Sequence, residues 1–314
     1  MINFATIGTN FVVDWFLEAV EQCDNLCYVA TYSRDKEKGE AFSKKHNGKM
    51  VFEIHAVYIA SPNSLHYEQA KLLIENGKHV MIEKTITSNQ KELEELINLA
   101  IKHNVVIMEA MRNVIDPGFF AIKEAIELVK PVRRVSFQYC QYSSRYDRYK
   151  QGIFENAFRK EFSNGALTDI GVYCVHPLVK LFGMPQEIMA MAQILPDSID
   201  GQGTIIAKYP EMLAEVLYSK ITNSKIPSQI QGEKGAIIIE DIPNPRKVKV
   251  IFNDNTEKII KVPECENNLV FEAKEWARLI EIGKFTDEHI KYSHMCVKVM
   301  DEARRQQGVV FPAD

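Results

Sequence analysis

The first third of the chain alternates short apolar runs rich in β-branched residues with longer stretches whose apolar positions recur every three to four residues. That is the pattern of parallel strands joined by crossover helices. INFATIG (2–8) predicts the first strand, and DWFLEAVEQC (14–23) a helix with Phe16, Ala19, Val20 and Cys23 on one stripe. CYVATYS (27–33) predicts the second strand, followed by a charged helix from Asp35 to His46. HAVYIAS (55–61) is almost continuously apolar, as a strand covered on both faces requires. A helix from Ser64 to Asn76, stopped by Gly77 as a left-handed cap, precedes the strand HVMIEK (79–84). A helix from Ser88 to His103 and the strand VVIMEA (105–110) complete this part.

From Pro131 the pattern changes. Apart from one helix near Asp169 to Phe182, strand follows strand: VRRVSFQYCQYS, EIMAMAQIL, GTIIAKY, MLAEVLYSKI, GAIIIED, KVKVIF and KIIKV, all joined by short turns. Short connections predict a mostly antiparallel sheet. Two helices, Asn268 to Ile282 and Tyr292 to Gln306, close the chain. The predicted fold is thus α/β followed by α+β: a doubly wound parallel sheet over residues 1–112, then a large, mostly antiparallel open sheet over 113–314, with the last helices free to pack back on the first domain.

At 314 residues the chain exceeds one comfortable hydrophobic core, which agrees with two domains. Its 38 basic and 42 acidic side chains give a net charge of -4, so nothing electrostatic points to nucleic acid or an anionic membrane. A small molecule is the expected ligand. No run approaches the ~20 apolar residues of a membrane helix, and Met1 leads directly into Phe4–Ile7 without a charged-then-apolar leader. The expectation is a soluble, cytoplasmic protein. The six cysteines are scattered, without a C-x-x-C pair or zinc-like spacing, so reduced thiols and no metal are expected.

The candidate chemistry begins at FATIGTNFVVDW (4–15). A dinucleotide loop needs small residues at three places, and here Gly8 makes the tight turn while Asn10 and Val13 stand at the second and third. Asn10 is acceptable because asparagine enters left-handed backbone more readily than other side chains; Val13 adds bulk. Thr9 and Phe11 complete the candidate phosphate loop. Ser33 and Arg34 follow the second strand, where an NAD site carries an acid; a hydroxyl beside a guanidinium suits the 2'-phosphate of NADP, with NAD as the lesser possibility. The plainer reading is that Ser33 caps a helix and Arg34 is solvated.

The long string VYIASPNSLHYEQAKLLIENGKHVMIEKTITSN (57–89) resembles the glucose-fructose oxidoreductase and inositol dehydrogenase family (Gfo/Idh/MocA). The resemblance continues through MEAMRNVIDPGFFAIKEAI, GALTDIGVYCVHPLVKLFG and KVMDEARRQQGVVFPAD. Within the family the chain looks most like the dihydrodiol and NADP-dependent xylose dehydrogenases, which share the D-I-G-V-Y string. The resemblance implies a Rossmann domain that binds nucleotide through Ala60, Ser61, Pro62, Asn63, His66, Glu83 and Arg112. It implies Lys84 as the cation on the reacting oxygen, with Asp169 and Tyr173 as the other catalytic groups. On a regular helix Asp169, Tyr173 and His176 share one face; His176, Tyr142 and Arg145 are candidates for the substrate.

Three departures stand out: Asn10 with Val13, Thr85 in place of the family's proline after the lysine, and a crossover shortened to VFE between HNGKM and IHAVYIA. Thr85 either keeps a cis bond without proline or re-aims Lys84. The leading expectation is an NAD(P)-dependent dehydrogenase or reductase of a sugar, polyol or cyclic diol. The alternative is a catalytically silent relative that binds nucleotide or sugar. Apolar residues on strands such as MLAEVLYSKI predict a homodimer through the second sheet.

Overall fold

A computed structural model describes residues 1–48, 53–285 and 288–314. The shortened crossover lies largely outside these residues. The chain divides into two compact units, Met1–Arg112 with Glu266–His294, and Asn113–Cys265 with Met295–Asp314.

The first part alternates β1 (Ile2–Ile7), α1 (Phe11–Val20), β2 (Leu26–Tyr32), α2 (Lys36–Lys45), β3 (Ala56–Ile59), α3 (His66–Glu75), β4 (His79–Glu83), α4 (Gln90–His103) and β5 (Ile107–Ala110). All five strands are parallel in the order β2-β1-β3-β4-β5. Every residue of β3 and of β5 is buried, which explains the unbroken apolar sequence of β3 and leaves Glu109 as the one charged residue of β5. The helix stops follow local chemistry: Asp35 and Asn89 cap α2 and α4 through their side chains, and Asn104 and Gly77 adopt positive φ after α4 and α3. The core of this unit is aromatic. Phe4, Phe16, Tyr58 and Trp276 are each 0% exposed, with the Phe16 and Tyr58 rings 4.1 Å apart.

Next come α5 (Pro117–Val129), β6 (Val132–Cys140), α6 (Tyr146–Lys150), α7 (Val172–Phe182), β7 (Glu187–Leu195), β8 (Ile199–Lys208), β9 (Leu213–Ser219), β10 (Ser228–Gly232), β11 (Gly235–Ile239), β12 (Val248–Phe252) and β13 (Glu257–Ile260). The chain ends with α8 (Leu269–Glu281), which packs in the first unit, and α9 (Glu288–Gln307). Eight strands form one sheet, β13-β12-β11-β10-β6-β9-β8-β7, antiparallel except for the β6–β9 pair.

Three elements had no counterpart in the strand-by-strand sequence pattern. α5 lies outside that pattern, although Asp116 caps it and Pro117 occupies its first turn. β10 is SQIQG, with Ile230 its one large apolar residue, and α6 is a single short helix. The inner sheet face buries Val135, Phe137, Val216, Tyr218, Ile230 and Ile237, and α5 and α7 pack against sheet strands. On β7–β9 Met189, Met191, Ile206 and Leu213 are 66%, 81%, 47% and 54% exposed.

Candidate active site

In the first unit the strand order reverses between β1 and β3, the place where doubly wound sheets receive ligands beyond their strand ends. Gly8 follows β1 with φ +114, and a Cβ there would lie 2.8 Å from Ala60 O, so only glycine fits this approach of the two loops. Asn10 does not use the left-handed region expected of it. It is extended (φ -86, ψ 171), and its Oδ1 accepts from the Val12 and Val13 N–H groups as the cap of α1. Its Nδ2 donates to Ala60 O at 2.9 Å, tying the β1 loop to the β3 loop. Val13, in the first turn of α1, is fully buried. Asparagine thus replaces a small residue by taking over the cap.

Ser33 Oγ accepts the Asp35 N–H at 3.2 Å, while the cap of α2 is Asp35. Arg34 is exposed beside it. Ala60 and Asn63 are buried; Ser61 Oγ donates to Gln69 Oε1, and Pro62 precedes a single 3-10 turn at Asn63–Leu65. His66 is 0% exposed, with Nδ1 3.0 Å from Thr85 O and Nε2 2.9 Å from Ser61 O. Burial pushes its pKa down, against the pull of those backbone oxygens. His66 therefore links the β3 loop to the turn after β4.

That turn carries Lys84, and the Lys84–Thr85 bond is cis with threonine in the proline's place. The Lys84 N–H donates to Glu83 Oε2 at 3.2 Å, and Tyr58 OH donates to Glu83 Oε1. Burial raises the Glu83 pKa, opposed by the Tyr58 hydrogen bond and the Lys84 and Arg112 charges. Glu109 and Glu272 are two further buried carboxyls of this unit, 2% and 0% exposed. Arg112 donates to Asn268 Oδ1 at 3.5 Å.

In the second unit, residues Gly165 to Val179 are buried except Asp169 and Tyr173, which reach the surface from an otherwise closed helix. The regular helix expected across Asp169 is a π turn, Leu167–Gly171, ahead of α7, and His176 is buried instead of sharing the accessible face. Asp200 Oδ2 accepts the Leu167 N–H at 2.6 Å and anchors the start of this segment. Pro177 removes the N–H that Tyr173 O would accept four residues on, and Asn113 Nδ2 supplies it at 3.0 Å. Asp169 Oδ2 lies 2.7 Å from the buried Lys220 Nζ, which also donates to Ala157 O. Tyr142 OH donates to Asp147 and accepts from Lys150, and Arg145 pairs with Glu155 at 3.3 Å.

Glu109, Asn113 and Lys220 were not anticipated. Two carried a signal: Glu109 is the one acid in an apolar strand, and Lys220 continues the inward series Ala214, Val216, Tyr218. Among the described residues no group of three or more His, Cys, Asp or Glu could hold a metal ion.

A doubly wound sheet with a glycine turn at its switch point, followed by a wide open sheet, defines a two-domain dinucleotide-fold oxidoreductase architecture. Residues 2–111 match the family model described as "Oxidoreductase family, NAD-binding Rossmann fold", and residues 131–238 match "GFO/IDH/MocA C-terminal domain". The chain is 42% identical to scyllo-inositol 2-dehydrogenase (NADP(+)) IolU of Bacillus subtilis, over 100% of this chain and 99% of that protein. It is 28% identical to trans-1,2-dihydrobenzene-1,2-diol dehydrogenase of Xenopus tropicalis, over 90% and 91% of the two chains. In fold it is similar to the 3-ketoreductase KijD10 of Actinomadura kijaniata, solved with NADP and TDP-benzene, with a TM-score of 0.86, 18% identity and 98% of each chain covered. The chain belongs to the GFO/IDH/MocA oxidoreductase family.

Proposed function

We propose that this protein is an NADP-dependent oxidoreductase that moves a hydride between the nicotinamide and a secondary alcohol, or the corresponding ketone, of a cyclic polyol, sugar or diol. The observation that carries this reading is the end-to-end 42% identity with an NADP(+)-dependent inositol dehydrogenase. The residues fit the cofactor. Gly8 leaves no Cβ at the switch point, and the N–H groups of Thr9, Asn10 and Phe11 have no partner among the described residues, so they are available to a pyrophosphate. Ser33 and Arg34 at the end of β2 supply a hydroxyl and a guanidinium for a 2'-phosphate; NAD is the lesser cofactor. The Ala60–Asn63 loop, Glu83 and Arg112 complete the proposed nucleotide contacts, with His66 supporting the loop.

When bound, the nicotinamide supplies the hydride acceptor or donor. Lys84 holds the reacting oxygen and stabilises negative charge there. Tyr173 takes the hydroxyl proton in oxidation and returns one in reduction. Asp169, steadied by Lys220, accepts a hydrogen bond from a neighbouring substrate hydroxyl. Tyr142, Arg145 and His176 are the next candidates around the substrate. Residues 1–112 thus serve the nucleotide, and 113–314 the substrate and the pairing of two copies. The exposed Met189, Met191, Ile206 and Leu213 support a homodimer through the second sheet. A cytoplasmic location agrees with the free cysteines. No helix among the described residues is long and apolar enough to cross a membrane.

The test is NADPH titration by nicotinamide fluorescence, followed by turnover of scyllo-inositol, xylose and a cyclic diol at alkaline pH, with Lys84→Ala and Tyr173→Phe alongside. Saturable binding with turnover lost in both variants supports the reading. Binding without turnover of any polyol would leave a nucleotide-binding relative without catalysis.

A further inference from the structure

The turn that presents Lys84 is held in an unusual way. Residues Thr85 to Asn89 are all buried, so their backbone groups cannot be satisfied by water. Three successive residues are instead secured by three side chains. The Lys84 N–H donates to Glu83 Oε2 at 3.2 Å, Thr85 O lies 3.0 Å from His66 Nδ1, and the Ile86 N–H donates to Glu109 Oε1 at 3.0 Å. These side chains come from β4, α3 and β5, so the turn is gripped from both sides.

Glu109 is the unexpected member. It is 2% exposed in a strand whose other residues, Ile107, Met108 and Ala110, are apolar and buried. A carboxyl in such a strand is costly unless its hydrogen bonds matter. One is the Ile86 N–H and another involves Ser293 from α9. Neither bond is part of the sheet ladder, and the first acts two residues from the amine of Lys84.

We propose that Glu109 is a positioning residue for the reaction: by holding the Ile86 N–H it fixes the backbone from which Lys84 reaches the reacting oxygen. This rests on the oxidoreductase reading above. Glu109 touches neither substrate nor cofactor in this role, so its loss is expected in turnover and not in nucleotide affinity.

The test compares wild type, Glu109→Ala, Glu109→Gln and Lys84→Ala in turnover, NADPH affinity and amide exchange at Ile86. Glu109→Ala is expected to bind NADPH as wild type does, to lose Ile86 protection, and to lower kcat about 100-fold, the scale of a reacting group displaced by about 1 Å. Glu109→Gln keeps an oxygen acceptor and is expected to restore most of the rate. Unchanged kcat in Glu109→Ala overturns the proposal. So does a parallel loss of NADPH binding, or a glutamine variant as impaired as the alanine. If wild type turns over no substrate, the oxidoreductase reading has failed; Ile86 exchange then reports the clamp by itself, and unchanged protection in Glu109→Ala overturns it.

Discussion

Lys220 Nζ lies 2.7 Å from Asp169 Oδ2, with the lysine side chain 3% exposed and the aspartate 28% exposed. The pair has two consequences. It aims a carboxylate at the accessible strip beside Tyr173, and it makes the carboxylate necessary to a cation that water hardly reaches.

Asp169→Ala is therefore expected to do more than slow turnover. Removing one partner of a buried ion pair costs about 3 kcal/mol or more, so urea unfolding should show a lower midpoint at an unchanged slope. Tyr173→Phe leaves the ring contact with Tyr139, at 5.7 Å between centroids, and should lose turnover with little change in stability. Equal midpoints for wild type and Asp169→Ala would contradict the structural part of this assignment.

Glu109 gives stability a pH dependence whose sign follows from its burial. Its carboxyl is pushed up to about 7 in the fold from an ordinary 4.5. The folded protein thus retains a proton that the unfolded chain has released, and the stability this contributes declines as pH rises from 4.5 to about 7. The decline is worth roughly 3 kcal/mol in total. His66 acts oppositely: its lowered pKa makes the fold lose stability as pH falls below about 6.5. Denaturation of wild type and Glu109→Gln side by side isolates the first effect, and the variant's profile should be flatter between pH 5 and 7 by roughly that amount.

Glu272 is fully buried in α8, and neither carboxyl oxygen has a hydrogen-bond partner among the described residues. Burial raises its pKa well above the carboxylate range; the nearby Glu83 adds to this and Arg112 opposes it. Glu272→Met keeps the length and removes the unsatisfied oxygens, so it should stabilise the protein by about 1 to 3 kcal/mol at neutral pH. A destabilised methionine variant would mean that the acid is satisfied in solution.

Much of this was legible in the chain because each signal is local. The buried strand β3 announced itself through an unbroken apolar run, β5 through an apolar run interrupted by Glu109, and Gly8 through a turn that no other residue fits. What escaped was set by contacts distant in sequence. Asn10 is extended and not left-handed as its residue type suggests, because its partner Ala60 is fifty residues away. The π turn at Asp169 could not be read from a helical period, since the hydrogen bond at its start comes from Asp200, thirty-three residues on. β10 lacks the apolar alternation by which strands are recognised, and its neighbours β6 and β11 define it.

Arg34 offers the sharpest test of cofactor choice. It is exposed at the end of β2, next to Ser33, whose hydroxyl accepts the Asp35 N–H and can still donate. The 2'-phosphate distinguishes NADPH from NADH, so a guanidinium that binds it contributes to one cofactor and not the other. Charge-assisted hydrogen bonds of this kind are worth about 1.5 to 3 kcal/mol, which corresponds to roughly 10- to 100-fold in affinity. Arg34→Ala should therefore weaken NADPH by that factor and leave NADH nearly unchanged, with the NADPH deficit shrinking as ionic strength rises because the site is open to solvent. Fluorescence titrations with both cofactors at two salt concentrations measure it. Equal weakening of NADPH and NADH would remove Arg34 from the 2'-phosphate and return it to the solvated surface residue that its exposure also allows.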